Sequence, residues 1–186
     1  MKSFKTFTLV SAFMAFMVSA TGVSQTKMVG GAPMYPNKDI VSNAVNSKDH
    51  TTLVTAVKAA DLVETLQGEG PFTVFAPTND AFGKLPEGTV EMLLKPENKP
   101  MLQGVLTYHV VAGKYGSKDL KRLIKKGKGM AKLTTVNGDS LTAMMDGNSI
   151  KIKDGAGNIS SVTIADVNQS NGVIHVIDTV VLPSAK

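Results

Sequence analysis

The chain has 186 residues, of which 42% are hydrophobic and 19% charged, with a formal net charge of +5. These values fit one globular domain with a sizeable core and exclude a chain disordered throughout. Without cysteine there are no disulfides, thiolate metal sites, cysteine nucleophiles or lipid-modified N-terminal cysteine. The charge is too mild to argue for a nucleic-acid partner, and 5% aromatics with no tryptophan offer no base-stacking platform.

At the N-terminus Lys2 and Lys5 precede the apolar stretch "TFTLVSAFMAFMVSA", which ends in Val18-x-Ala20. This is the pattern of a secretory signal peptide, with cleavage expected after Ala20 and Ser24 as a second candidate. The stretch is short for a membrane span; the competing reading is an uncleaved anchor. Secretion or export to a periplasm is expected, with no stable membrane span after cleavage. The domain division that follows is a signal peptide over 1–20, a flexible Gly-rich lead-in over 21–38 and a single domain over 39–184.

Apolar residues at helical spacing (Leu53, Val54, Val57, Ala60, Val63, Leu66) predict a short helix near 40–46 and a longer, broken one near 51–67. Asp49 with Thr51 or Thr52 can cap the second, and Gly68 stops it. "FTVFAP" predicts a strand buried on both faces, stopped at Pro77, with Asn79 or Asp80 capping a helical turn through Leu85. Two short helices broken at Pro96 and Pro100 lead into a strand around Tyr108–Val111. "SKDLKRLIKKGKG" places Leu120, Leu123 and Ile124 on one helix face with six Lys/Arg around them. An anionic contact is one reading of that helix; a solvated face is the more economical one. From residue 131 onward, strands alternate with turns at Asn137-Gly138, Asp146-Gly147 and Asp154-Gly155. Helices first and a meander afterwards predict the α+β class.

The three histidines are His50, His109 and His175. His50 is expected to be solvated, whereas His109 and His175 lie in apolar, strand-like runs. His175 and Asp178 are three residues apart, so along a strand they point to opposite faces and form no dyad. No nucleophile elbow, phosphate loop, His-Glu-x-x-His or calcium loop is present, so no catalytic residue, cofactor or metal is expected. Both histidines are read as internally bonded.

Three segments carry a resemblance. "FTVFAPTNDAF" (Phe72–Phe82), "LTYHVVAGK" (Leu106–Lys114) and "SNGVIHVIDTVVLP" (Ser170–Pro183) resemble, in order and spacing, the motif blocks of the fasciclin (FAS1) domain family, over roughly Ile40 to Pro183. The resemblance implies a wedge-shaped β-sandwich with N-terminal and central helices packed against it. It also implies a secreted or surface-attached, non-enzymatic protein acting in adhesion or host contact. In animal members a Tyr-His pair and an Asp-Ile pair are implicated in integrin binding. Tyr108 and His109 match the first, and Asp166 and Val167 occupy the second with valine replacing isoleucine. These four residues are therefore the candidate partner-binding set. Thr73, Phe75, Pro77, Asn79, Asp80, His109, Asn171, Gly172, His175 and Asp178 are the candidate structural signature, with Gly172 expected in a backbone conformation other residues avoid.

The function expected is a non-catalytic adhesion or interaction domain whose partner is a protein, cell surface or matrix. Weak self-association would add avidity. The alternatives are binding of a small ligand or polysaccharide between helices and sheet, and a hydrolase using His109 or His175. Asn158-Ile-Ser160 and Asn168-Gln-Ser170 match the glycosylation pattern, which matters only in a eukaryotic secretory route.

Overall fold

A computed structural model describes residues 26–184; the expected signal peptide and its two candidate cleavage sites lie outside the described residues. Strands β1 (Lys27–Val29) and β2 (Ala32–Met34) form a hairpin. Its turn is Gly30-Gly31, both with positive φ (56° and 75°), as a two-residue type I′ connection requires. Within the flexible lead-in expected over 21–38, the described residues from 26 onward are packed: Val29 and Met34 point inward and are buried. The Lys27 ammonium donates to the Ala165 carbonyl at 2.6 Å. The packed domain therefore begins before residue 39.

Helix α1 (Ile40–Ala44) is capped by Asp39, whose carboxylate accepts from Ser42 N at 2.8 Å. A 3-10 turn (Lys48–His50), α2 (Thr51–Ala59) and α3 (Val63–Gln67) follow, the expected break falling at Asp61 with φ of 54°. Strand β3 (Phe72–Pro77) leads into α4 (Asn79–Gly83), α5 (Thr89–Leu93) and α6 (Lys99–Tyr108). Pro100 does not break α6 as expected; it sits in the first turn, where no N–H is needed. Strand β4 (Val110–Ala112) starts later than predicted, so Tyr108 ends a helix and His109 is its C-cap. Then come α7 (Ser117–Lys126), β5 (Met130–Thr134), β6 (Ser140–Asp146), β7 (Ser149–Lys153), β8 (Ile159–Gln169) and β9 (Gly172–Ile177).

The main sheet runs β4-β3-β9-β8-β7-β6-β5, with β3 and β9 parallel and the other neighbours antiparallel. Strand β8 is shared: its start pairs β7 and its later part pairs β9, with register shifts between Val162 and Val167 where it bends. The far edge returns to the near one, because Val111 bridges to Thr135 and Val136 N donates to Val110 O at 2.8 Å. A seven-stranded sheet thus folds over at β8 into a wedge-like sandwich.

Two cores result. Val74 and Ala76 of β3 and Ile174 and Val176 of β9 face α1, α2, α3 and α6. Phe75 and Ile177 face the other way, onto Leu133, Leu141, Ala143, Ile150 and Ile152 of the folded-over half. This explains why both faces of the "FTVFAP" strand are apolar: β3 lies between a helical layer and a second sheet.

Gly172 has no positive φ, contrary to expectation. Its need is space: a Cβ there would lie 2.2 Å from the Phe72 carbonyl oxygen. Gly172→Ala is expected to push β9 off β3 and cost about 1–3 kcal/mol, read as a lower urea midpoint at unchanged slope.

Candidate functional site

The three sequence blocks meet in space. The first is β3 and α4, the second is the end of α6 with β4, and the third is β9, so their strands are the neighbours β4-β3-β9. Burial of polar groups at their centre has to be compensated one by one.

Thr73 is fully buried. Its hydroxyl donates to Gly113 O at 2.6 Å and accepts from Tyr115 N at 2.8 Å, tying the β4–α7 loop to β3. Phe75 stacks on its register partner His175, ring centroids 5.7 Å apart and planes at 26°. His175 Nε2–H donates to Tyr115 O at 2.8 Å, and Nδ1 accepts from Asp166 N at 3.4 Å. Those partners select the neutral ring, and burial lowers its pKa against the opposing pull of the Tyr115 carbonyl.

His109, capping α6, is held in the same way. Its Nδ1–H donates to Val105 O at 2.8 Å and its Nε2 accepts from Val181 N at 3.2 Å. Complete burial drives its pKa down to about 4. Tyr108 has no exposed surface. Its hydroxyl donates to Ser140 O at 2.9 Å and accepts from Gly155 N at 2.8 Å, joining α6 to the folded-over half.

The asparagines work across the fold. Asn79 was expected to cap its own helix, but Thr78 does so, its Oγ accepting from Ala81 N. Asn79 instead caps α2, its Oδ1 accepting from Thr52 N at 3.0 Å while its Nδ2 donates to Lys48 O at 2.8 Å. Neither Asp49 nor Thr51 supplies that cap. Asp80 is exposed in the first turn of α4, and Pro77 closes β3 opposite Ile177. Asn171 accepts from Ile40 N at 3.1 Å and donates to Leu66 O at 2.8 Å, so one side chain fixes the start of α1 and the end of α3. Asp178 lies just past β9, its Oδ1 accepting from Ser161 N at 2.8 Å, well apart from the contacts of His175.

Asp166, on the bent strand β8, is a non-glycine residue with φ of 57°. Its carboxylate accepts from Ser117 N and Ser117 Oγ, both at 2.5 Å, at the start of α7. Burial pushes its carboxyl up, but the two Ser117 bonds, with His175 and Lys27 nearby, hold it below the usual range. Val167 is 1% exposed and packs in the helix-facing core. The candidate partner-binding set is thereby corrected: Tyr108, His109 and Val167 are enclosed, and the half-buried Asp166 spends its carboxylate on Ser117. None of the first three offers a side chain to a partner's surface.

Sequence reasoning missed several supports. Asn43, fully buried, exchanges two bonds with the Tyr35 backbone and donates to Gln169. Asp154, 5% exposed, accepts from Asn158 N and Leu182 N. His50 is 3% exposed rather than solvated, its Nδ1 bonded to Ser47 Oγ at 2.8 Å, and burial lowers its pKa. Polar residues isolated in a five-residue helix or in short turns carry no periodicity that would mark them as buried.

Ser117, Asp166 and His175 bring together the residue types of a hydrolytic triad, but in the wrong order. Serine bonds the aspartate, histidine bonds two backbone groups, and no imidazole touches the hydroxyl. The cavity that His109 adjoins, between helices and sheet, is apolar and about 40 Å³, and a second, beside His50, measures about 30 Å³. Both are far below the roughly 300 Å³ of an ordinary ligand site. Among the described residues no group of three His, Asp or Glu is placed to hold a metal, and no helix is long and apolar enough to cross a membrane.

Comparison with known proteins bears on the family and the fold. The fasciclin domain family model matches residues 48–183. Protein sll1483 of Synechocystis is 51% identical over 146 residues, covering 77% of this chain and 73% of that protein. The immunogenic protein MPB70 of Mycobacterium bovis is 36% identical over 147 residues, covering 76% and 67%. Human periostin is 32% identical over 137 residues, covering 74% of this chain but 15% of its own length. In fold, the chain is similar to the FAS1 domain pair of the insect cell adhesion molecule fasciclin I, with TM-score 0.69 and 21% identity. The match covers 79% of this chain and about half (51%) of that one.

His109 gives the fold an acid limit. Its ring stays neutral to about pH 4 when folded and takes up a proton near pH 6.5 when unfolded. Stability is then complete above pH 6.5, falls as pH drops from 6.5 to 4, and levels off below. The loss from this one group is roughly 3 kcal/mol; His50 and His175 add in the same direction. In urea titrations across that range, His109→Gln is expected to start less stable at pH 7 and to converge on the parent toward pH 4.

Proposed function

We propose, since the chain belongs to the fasciclin domain family, that it is an exported, non-catalytic interaction domain that attaches to cell surfaces or extracellular matrix. The observation that carries this reading is where the polar chemistry is spent. The rings of His109 and His175, the hydroxyls of Thr73, Tyr108 and Ser117, and the carboxylate of Asp166 are bonded inside the fold. They are arranged to hold strands and helix ends, and no reacting atom has room beside them. The adhesion role of the insect molecule whose domain pair shares the fold supports the same reading. Export is supported by the Lys2–Ala20 pattern.

On this proposal Tyr108, His109, Asp166 and Val167 serve recognition indirectly. Asp166, with Thr73 and His175, sets the backbone through Gly113–Ser117 and the seat of α7. Tyr108 and His109 hold the end of α6, Val167 packs in the core beneath, and the partner meets the surface so positioned.

Beads coated with the full chain are expected to bind intact cells or matrix preparations well above albumin-coated beads; equal attachment would sink the reading. Asp166→Ala removes the cap on α7 and is expected to cost about 1–2 kcal/mol of stability. Attachment per folded molecule is expected to stay near the parent value, whereas direct contact by this carboxylate would abolish it.

A further inference from the structure

Charge is distributed very unevenly along the fold. Residues 26–113 hold seven Lys/Arg against nine Asp/Glu. Residues 154–184 hold three carboxylates and no Lys or Arg. The intervening 114–153, which build α7, β5, β6 and β7, hold ten Lys/Arg against three carboxylates. All three are engaged, Asp119 with Arg122, Asp146 with Lys151 and Asp139 with the Asn137 amide. One half of the sandwich is thus a concentrated cationic body.

The strand registers give that charge a pattern. Alternation turns Ala131, Leu133, Leu141, Ala143, Ile150 and Ile152 into the core and leaves their neighbours on the outer face. There Lys132 lies opposite Thr142, and Thr142 opposite Lys153. In the next row Met144 lies opposite Lys151, and Lys151 opposite Ser161. Lys132 and Lys153 therefore flank β6 roughly 10 Å apart, with a hydroxyl between them, and Lys151 lies roughly 7 Å along the strand from Lys153. Lys128, Lys132 and Lys153 are exposed and, among the described residues, make no ion pair. The Lys151–Asp146 contact, at 3.7 Å and partly exposed, is weak enough to exchange.

We infer that the outer face of β5–β6–β7 binds an acidic polysaccharide, a carboxylated or sulfated chain laid across the strands with its anions on Lys132, Lys153 and Lys151. This deepens the attachment reading and rests on it, by naming the chemistry of the surface attached to. Charge complementarity selects a polyanion. Lys132 and Lys151, each within about 10 Å of Lys153, with the Thr142 and Ser161 hydroxyls beside them, suit a polymer that carries repeated anions and many hydroxyl groups. A membrane surface fits less well. The apolar side of α7 is buried, Leu120 at 0% and Ile124 at 2% exposure, so the basic helix has nothing to insert. A nucleic acid fits less well because the face carries no aromatic ring on which to stack a base. The exposed lysines of α7 extend the positive field around the β5 edge and speed encounter.

The test uses the full chain and immobilised polygalacturonate at low salt, with dextran as the neutral control. Binding is expected for polygalacturonate and not for dextran, and is expected to weaken steeply as salt is raised. Lys132→Thr with Lys153→Thr is expected to bind about tenfold more weakly. Lys58→Thr with Lys95→Thr, which removes the same charge from the helical half, is expected to stay within about twofold. Protection of Lys132 and Lys153 from amine acetylation by polygalacturonate reads the same contact without a variant. Equal weakening by the two pairs, absence of protection, equal binding to dextran, or tighter binding to phosphatidylglycerol vesicles or duplex DNA would each overturn the inference. The bead assay keeps the two readings apart: attachment to cells that persists without polygalacturonate binding removes only the polysaccharide, whereas no attachment by the parent chain removes both.

Discussion

The parallel pairing of β3 with β9 is the constraint on which the rest depends. Both strands are covered on both faces, by helices on one side and the second half of the sheet on the other. A backbone so placed has no water to turn to, so polar groups beside it must be satisfied by the protein itself. Thr73 closes the loop after β4, His175 holds Tyr115 and Asp166, and Asn171 ties two helix ends to the turn that starts β9. Gly172 lets the two strands start side by side, because its neighbour across the pair is a carbonyl oxygen with no space to spare. The three sequence blocks are the parts of one buried joint.

That joint was readable to different depths at different residues. The double-faced apolar character of "FTVFAP", the amphipathic pattern of "KDLKRLIKK" and the Asn-Gly and Asp-Gly turns all led to the right elements, because each is local. His109 misled because a helix ending in "VLTYH" and a strand beginning "VVA" form one apolar run, and only packing decides where it divides. Asn79 misled because capping residues are sought in sequence, whereas this one caps α2 from the start of α4. The Gly-rich lead-in reads as a linker by composition, yet two glycines at positive φ and alternation at Val29, Ala32 and Met34 make it a packed hairpin. The candidate site was legible as polar residues in apolar runs, with His109 and His175 expected to be bonded internally; that Tyr108 and Val167 are enclosed as well was not, since burial is a property of the pairing.

An inward-facing signature has a consequence for recognition. Residues that hold β3, β4 and β9 together cannot also be exchanged to suit a partner, because each change leaves a buried donor or acceptor unpaired, at about 1–3 kcal/mol. Specificity is free to reside where side chains are free to vary, on the outer face of β5–β7 and along α7, whose lysines point to solvent while Leu120 and Ile124 pack inward. The charge follows this division, neutral to acidic around the joint and strongly basic in 114–153.

Asp166 connects the two. Its strand belongs to both halves of the sheet, its backbone N–H reaches His175 in the joint, and its carboxylate holds the first residue of the basic helix. A left-handed backbone at a non-glycine residue costs energy that the surroundings must offset; here two bonds from Ser117 and one to His175 do so. The same residue cannot be both fully engaged in this relay and free for a partner. Its place in the fold therefore explains how an aspartate that marks a candidate contact in the sequence comes to have its carboxylate turned inward onto Ser117.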